Sequence, residues 1–108
     1  MQETTITKLQ LRPLNEGAHR VQSKVTLYTA EACSFCQRAK SLLDDAGVKY
    51  FEQVLDGDAS KRRWVMEQSG GRKVLPQVFV DDRHLGGFYE LKRFHQLGTL
   101  NLLMSRAK

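Results

Sequence analysis

The sequence predicts an α/β domain: a four-stranded mixed sheet flanked by helices on both faces, in the order β-α-β-α-β-β-α. Short β-branched and aromatic runs alternate with segments of helical periodicity along most of the chain. A strand–helix–strand unit sets two strands parallel through a right-handed crossover, whereas the two-residue Asp81-Asp82 link makes the last two strands antiparallel. At 108 residues, 41% of them apolar, the chain has material for one compact domain and no length for a second.

Residues 1–23 are mostly Thr, Asn, Gln, Ser and Gly around scattered leucines, with Pro13 and Gly17 breaking any helix. They are expected to form an extension, flexible or loosely docked, with one short strand at most. The folded domain is expected over residues 24–108. Val25, Leu27 and Tyr28 with two threonines form the first strand. Phe35, Ala39, Leu42, Leu43 and Ala46 recur at helical spacing from Ser34 until Gly47 stops the helix. Tyr50 to Leu55 reads as the second strand, Asp56-Gly57-Asp58 as a turn, and Ala59 to Gln68 as a helix of weaker periodicity that ends at Gly70-Gly71. Val78-Phe79-Val80 and Arg83-His84-Leu85 flank Asp81-Asp82, two residues that tolerate left-handed backbone, so a β-hairpin follows. Beyond Gly86-Gly87, the stripe Phe88, Leu91, Phe94 and Leu97 predicts a helix up to Gly98, and Leu100 to Met104 one last short helix.

Lys plus Arg number 17 against 12 Asp plus Glu, and the net charge of +5 is too mild and too interspersed to indicate a nucleic-acid partner. Residues 1–54 hold 7 bases and 6 acids and residues 55–108 hold 10 and 6, so the surplus lies in the second half. No apolar run approaches the roughly 20 residues that span a bilayer, and Met1 to Gln22 lacks the pattern of a secretory signal. A cytoplasmic protein without membrane contact is expected.

Both cysteines of the chain lie in Cys33-Ser34-Phe35-Cys36, where the first strand ends and the first helix starts. The thiolate is the reactive form of cysteine, and the free N–H groups and partial positive charge of a helix start favour it, so the pKa of Cys33 should be lowered. Cys36 lies one turn further on the same side, within reach of a mixed disulfide on Cys33. A zinc site is the competing reading, but His19, His84 and His95 are too irregularly spaced to complete one. A pair of inert core cysteines is the other, and a helix start is usually partly exposed. The residues favour redox chemistry, with no metal.

In four places the sequence resembles the glutaredoxins, a thioredoxin-fold family: Tyr28-Thr29, Cys33-Ser34-Phe35-Cys36, Val74-Leu75-Pro76-Gln77-Val78-Phe79 and Leu85-Gly86-Gly87-Phe88. The similarity runs from about Lys24 to Met104. It implies a thioredoxin/glutaredoxin-like fold and a glutathione-dependent thiol-disulfide oxidoreductase, acting on protein-glutathione mixed disulfides and other disulfides. Cys33 becomes the nucleophile and Cys36 the resolving thiol. The resemblance also implies a cis Pro76 facing the cysteines, with Leu75 pairing through its backbone to the cysteinyl part of glutathione. The γ-glutamyl end falls to Gly87, Phe88 and Tyr89 at a helix start, and the glycine carboxylate to Arg63.

Three departures stand out. Ala30 replaces a lysine common before the cysteines, with Arg72 or Lys73 near enough in sequence to compensate. Tyr89 stands where many relatives carry Asp, and Ser34 where dithiol members usually carry Pro. Some relatives with Ser there hold a [2Fe-2S] cluster between two subunits through glutathione and the first cysteine, here Cys33. A role in iron–sulfur assembly or sensing is therefore one alternative, and an electron donor served by a thioredoxin reductase is another. A monomer is expected, and a dimer only with a cluster.

Overall fold

A computed structural model describes residues 20–107. Residues 1–19 of the expected extension lie outside the described residues. The elements are β1 (Arg20–Gln22), β2 (Val25–Thr29), α1 (Ser34–Asp45), β3 (Phe51–Val54), α2 (Ala59–Gln68), β4 (Gln77–Val80), β5 (Arg83–Gly86), α3 (Phe88–Gln96), α4 (Leu100–Leu103) and β6 (Ser105–Ala107).

The main sheet has the order β3-β2-β4-β5. β2 runs parallel to β3 and antiparallel to β4, and β5 closes the hairpin on β4. This is the predicted mixed sheet. Asp81 and Asp82 take φ values of 50° and 66°, the left-handed pair that a two-residue hairpin needs. β1 is a short strand within the expected extension, and it pairs with β6, an element the sequence did not predict, in a separate antiparallel ribbon with Arg20 opposite Ala107.

Alternation along the strands splits the interior in two. Val25, Leu27, Val78 and Val80 face α1, α3 and α4, packing on Ala39, Leu43, Phe88, Leu91 and Leu100. Tyr28 and Phe79 face α2 and pack on Val65 and Leu55, with Trp64 and Leu75 at the margin. Helices thus cover both faces. α2 is the more solvated of them: Val65 is its single fully buried residue, which is why its periodicity is weak. Asp58 fixes its start by accepting from the Lys61 N–H at 3.0 Å. Among the described residues no helix is long and apolar enough to cross a membrane.

Candidate redox site

Helix α1 starts at Ser34 because Cys33 is extended (φ −142°, ψ 101°) and caps it: the Cys36 N–H donates to Cys33 Sγ at 3.1 Å. The sulfur stands where Ser or Asp usually satisfies the first N–H groups, and no acidic side chain lies in that first turn to oppose a negative charge. The two sulfurs are joined as a disulfide, with Cα atoms 5.2 Å apart. Cys33 is half-buried and Cys36 fully buried. Cys33 therefore offers the sulfur that an outside partner can reach.

The elements around the pair are tied together. Buried Thr29, at the end of β2, donates to Glu52 Oε2 at 2.7 Å, and Lys40 of α1 pairs with the same oxygen at 3.1 Å. The Thr29 hydroxyl, then Lys40, hold the Glu52 carboxyl below the ordinary carboxylate range against the opposing effect of burial. The Glu31 N–H donates to Asp56 Oδ1 at 3.1 Å, anchoring the turn that leads to Cys33.

Opposite α1, the Leu75–Pro76 bond is cis and the Leu75 carbonyl oxygen lies 3.7 Å from Cys33 Sγ. A cavity of about 220 Å³ opens here, lined by Leu75, Pro76, Gly87, Phe88 and Tyr89 together with Phe35, Arg72 and Val74. Five of the six binding residues expected from the sequence thus converge. Arg63 does not join them and is exposed on α2. Its neighbour Arg62 lines an adjoining cavity of about 200 Å³ with Val65, Arg72, Lys73 and Leu75. Helical spacing explains the difference, because Arg62 lies one turn before buried Val65 and shares its face, whereas Arg63 is turned away.

The start of α3 is organised by Glu90. Its Oε1 accepts from the Gly87 N–H at 2.6 Å and from Arg72 Nη1 at 3.2 Å. That N–H, and next the Arg72 charge, keep the Glu90 carboxyl below its usual range, while burial works the other way. The first intrahelical bond joins the Leu91 N–H to the Gly87 carbonyl at 3.1 Å, which leaves the Phe88 and Tyr89 N–H groups without an intrahelical acceptor. Space is tight: a Cβ on Gly87 would lie 3.1 Å from both Arg72 Nη2 and the Pro76 carbonyl oxygen. The sequence reading missed Glu90, although its place three residues after the cap is the spacing of a capping box.

Phe35, Phe88 and Tyr89 form the rim, with ring centroids 5.4 to 5.8 Å apart. Phe35 is 37% and Tyr89 65% exposed, and Arg38 lies over the Phe35 and Phe88 rings. Phe35 thus both packs on α3 and faces solvent. Among the described residues no group of three or more His, Cys, Asp or Glu side chains converges as a metal site. Among the described residues a cluster would have Cys33 as its protein ligand.

The glutaredoxin family model matches residues 25–85. Glutaredoxin 3 of Escherichia coli is 40% identical over 82 residues, covering 76% of this chain and 98% of that protein. A glutaredoxin of Neisseria meningitidis is 39% identical over 82 residues, covering 75% and 95%. Among solved structures, the glutaredoxin of Brucella melitensis superposes with a TM-score of 0.69 at 31% identity, covering 77% of this chain and 89% of that one. A buckwheat glutaredoxin-glutathione complex shares the fold, with a TM-score of 0.68 at 24% identity over 76% of each chain. With the Cys33–Cys36 pair at the head of α1, the chain is therefore a thiol-disulfide oxidoreductase and belongs to the glutaredoxin family.

Proposed function

We propose that this protein is a dithiol glutaredoxin that reduces protein-glutathione mixed disulfides and small disulfides, with glutathione as co-substrate. The observation that carries the reading is the Leu75 carbonyl 3.7 Å from Cys33 Sγ, at the edge of a cavity that ends on the start of α3. An extended tripeptide bound by its central sulfur has a backbone partner at Leu75. One of its carboxylates meets the unpaired N–H groups of Phe88 and Tyr89. The other end extends toward Arg62, with Arg63 one residue further along α2.

In the reduced protein the Cys33 thiolate attacks the glutathione sulfur of a mixed disulfide. A Cys33–glutathione bond forms as the bond to the substrate protein breaks, and the departing thiolate takes a proton from solvent. A second glutathione thiolate attacks the bound glutathione sulfur, so glutathione disulfide leaves and Cys33 is again a thiolate. The Cys36 N–H and the dipole of α1 stabilise the charge on Cys33 before attack and on departure. With a protein disulfide, Cys33 opens the bond. Cys36 then loses its proton and attacks Cys33 Sγ, which releases the second protein thiol and leaves the Cys33–Cys36 disulfide. Two glutathione molecules reduce that disulfide.

Replacing each cysteine in a glutathione-coupled assay tests the reading. Cys33→Ser should lose activity by about a hundredfold or more on a glutathionylated peptide. Cys36→Ser should keep deglutathionylation and fail on a protein disulfide. Full activity without Cys33, or reduction by a thioredoxin reductase but not by glutathione, overturns it.

A further inference from the structure

We propose that His84 is a positioning residue for the redox site: as the neutral Nε2–H tautomer it fixes the Gln77 carboxamide and, through it, the Val74-Leu75-Pro76 segment that faces Cys33. The segment joins α2 to β4 outside any strand ladder, so side chains must hold it. The Gln77 Nε2 donates to the Val74 carbonyl at 3.0 Å, and Gln77 is fully buried. An amide whose nitrogen is committed to a carbonyl turns its oxygen the opposite way. Here that oxygen lies 2.6 Å from His84 Nε2. A carboxamide oxygen only accepts, so Nε2 carries the hydrogen and Nδ1 of the neutral ring is bare.

The surroundings favour the neutral ring. From β4 the Phe79 ring packs 5.2 Å away, Arg72 faces it from the loop before β4, and Glu90 from α3. Burial and then the Arg72 charge hold the His84 pKa below its usual value, with Glu90 opposing. His84 lines neither cavity, so it acts through Gln77. Val74 and Leu75 line both, and a shift of that segment moves the Leu75 carbonyl relative to Cys33. The kinetic consequence rests on Leu75 meeting the substrate, as proposed above, whereas the tautomer does not.

Long-range ¹⁵N–¹H correlation on the full chain at neutral pH should show His84 protonated at Nε2. In kinetics with a glutathionylated peptide, His84→Phe keeps a ring and loses the donor. Its KM should rise about tenfold, the factor one such hydrogen bond is worth, with kcat within about twofold. His84→Gln carries an amide N–H at a similar reach and should restore KM to within about threefold of the parent. Thermal unfolding confirms that each variant is folded at the assay temperature, and if His84→Phe does not fold the tautomer alone decides. A Nδ1–H tautomer, an unchanged KM in folded His84→Phe, or no recovery in His84→Gln overturns the proposal. An intact tautomer beside a fully active Cys33→Ser would instead overturn the glutathione mechanism and leave this link standing.

Discussion

Glu90 shows how one side chain sets the site without touching the sulfur. Its Oε1 receives both the Gly87 N–H and Arg72, joining the cysteine-facing loop to α3. Because its folded pKa lies below the ordinary 4.5, its contribution to stability is present above that value and is lost as pH falls through the folded one. Glu90→Gln keeps the shape and removes the charge. It should cost about 0.5–1 kcal/mol at neutral pH, a modest figure because the pair is partly solvated. In urea titrations the gap between variant and parent should begin to narrow as pH drops below 4.5 and close only below the folded pKa, where the parent is neutral as well; a gap independent of pH would refute the assignment. The cysteines could be read from sequence because a CxxC at a strand-to-helix junction has few other uses. Arg62 could not, since in a run of three bases only the placement of buried Val65 shows which one flanks the cavity.

At the scale of elements, the two glycines before α3 decide where that helix points. Gly86 has φ 152°, and a Cβ there would sit 2.6 Å from the Glu90 Cβ, so Gly86→Ala must push the first turn of α3 away from the loop. The substitution should cost about 1–3 kcal/mol in thermal or urea unfolding and raise KM for a glutathionylated peptide more than it lowers kcat. A variant with parental stability and KM would show that the contact relaxes freely. α1, α3 and the hairpin were legible because each combines a face with a stop: Gly47, Gly98 and the Asp81-Asp82 link. The β1–β6 ribbon was not. Each of its strands has three residues, too few for a period, and the pairing joins opposite ends of the chain. The cis bond at Pro76 came from the family resemblance, since local sequence only weakly separates cis from trans before proline.

Across the whole molecule the sheet separates a larger core from a smaller one that underlies the segment facing Cys33. Among the described residues, eleven buried ones form the core shared by α1, α3 and α4, whereas the core under α2 has four, Tyr28, Leu55, Val65 and Phe79, with Leu75 resting on its margin. Phe79 contacts Tyr28, Trp64 and His84 at ring distances of 5.2 to 5.3 Å, so the smaller core also supports the Gln77–His84 link. Damage to the two cores should therefore be felt differently. Leu43 lies near the far end of α1, about two turns beyond Cys36, and Leu43→Ala should cost about 2–5 kcal/mol while leaving KM at its parental value in the folded protein. Val65→Ala removes less volume and should cost only about 1–3 kcal/mol, yet it opens space beneath Leu75 and should raise KM severalfold. Urea unfolding and steady-state kinetics on the same preparations, at a temperature where both variants are folded, give the two quantities side by side. If KM follows the loss of stability, so that Leu43→Ala is the worse binder, the cores are not independent and the site is held by the molecule as a whole.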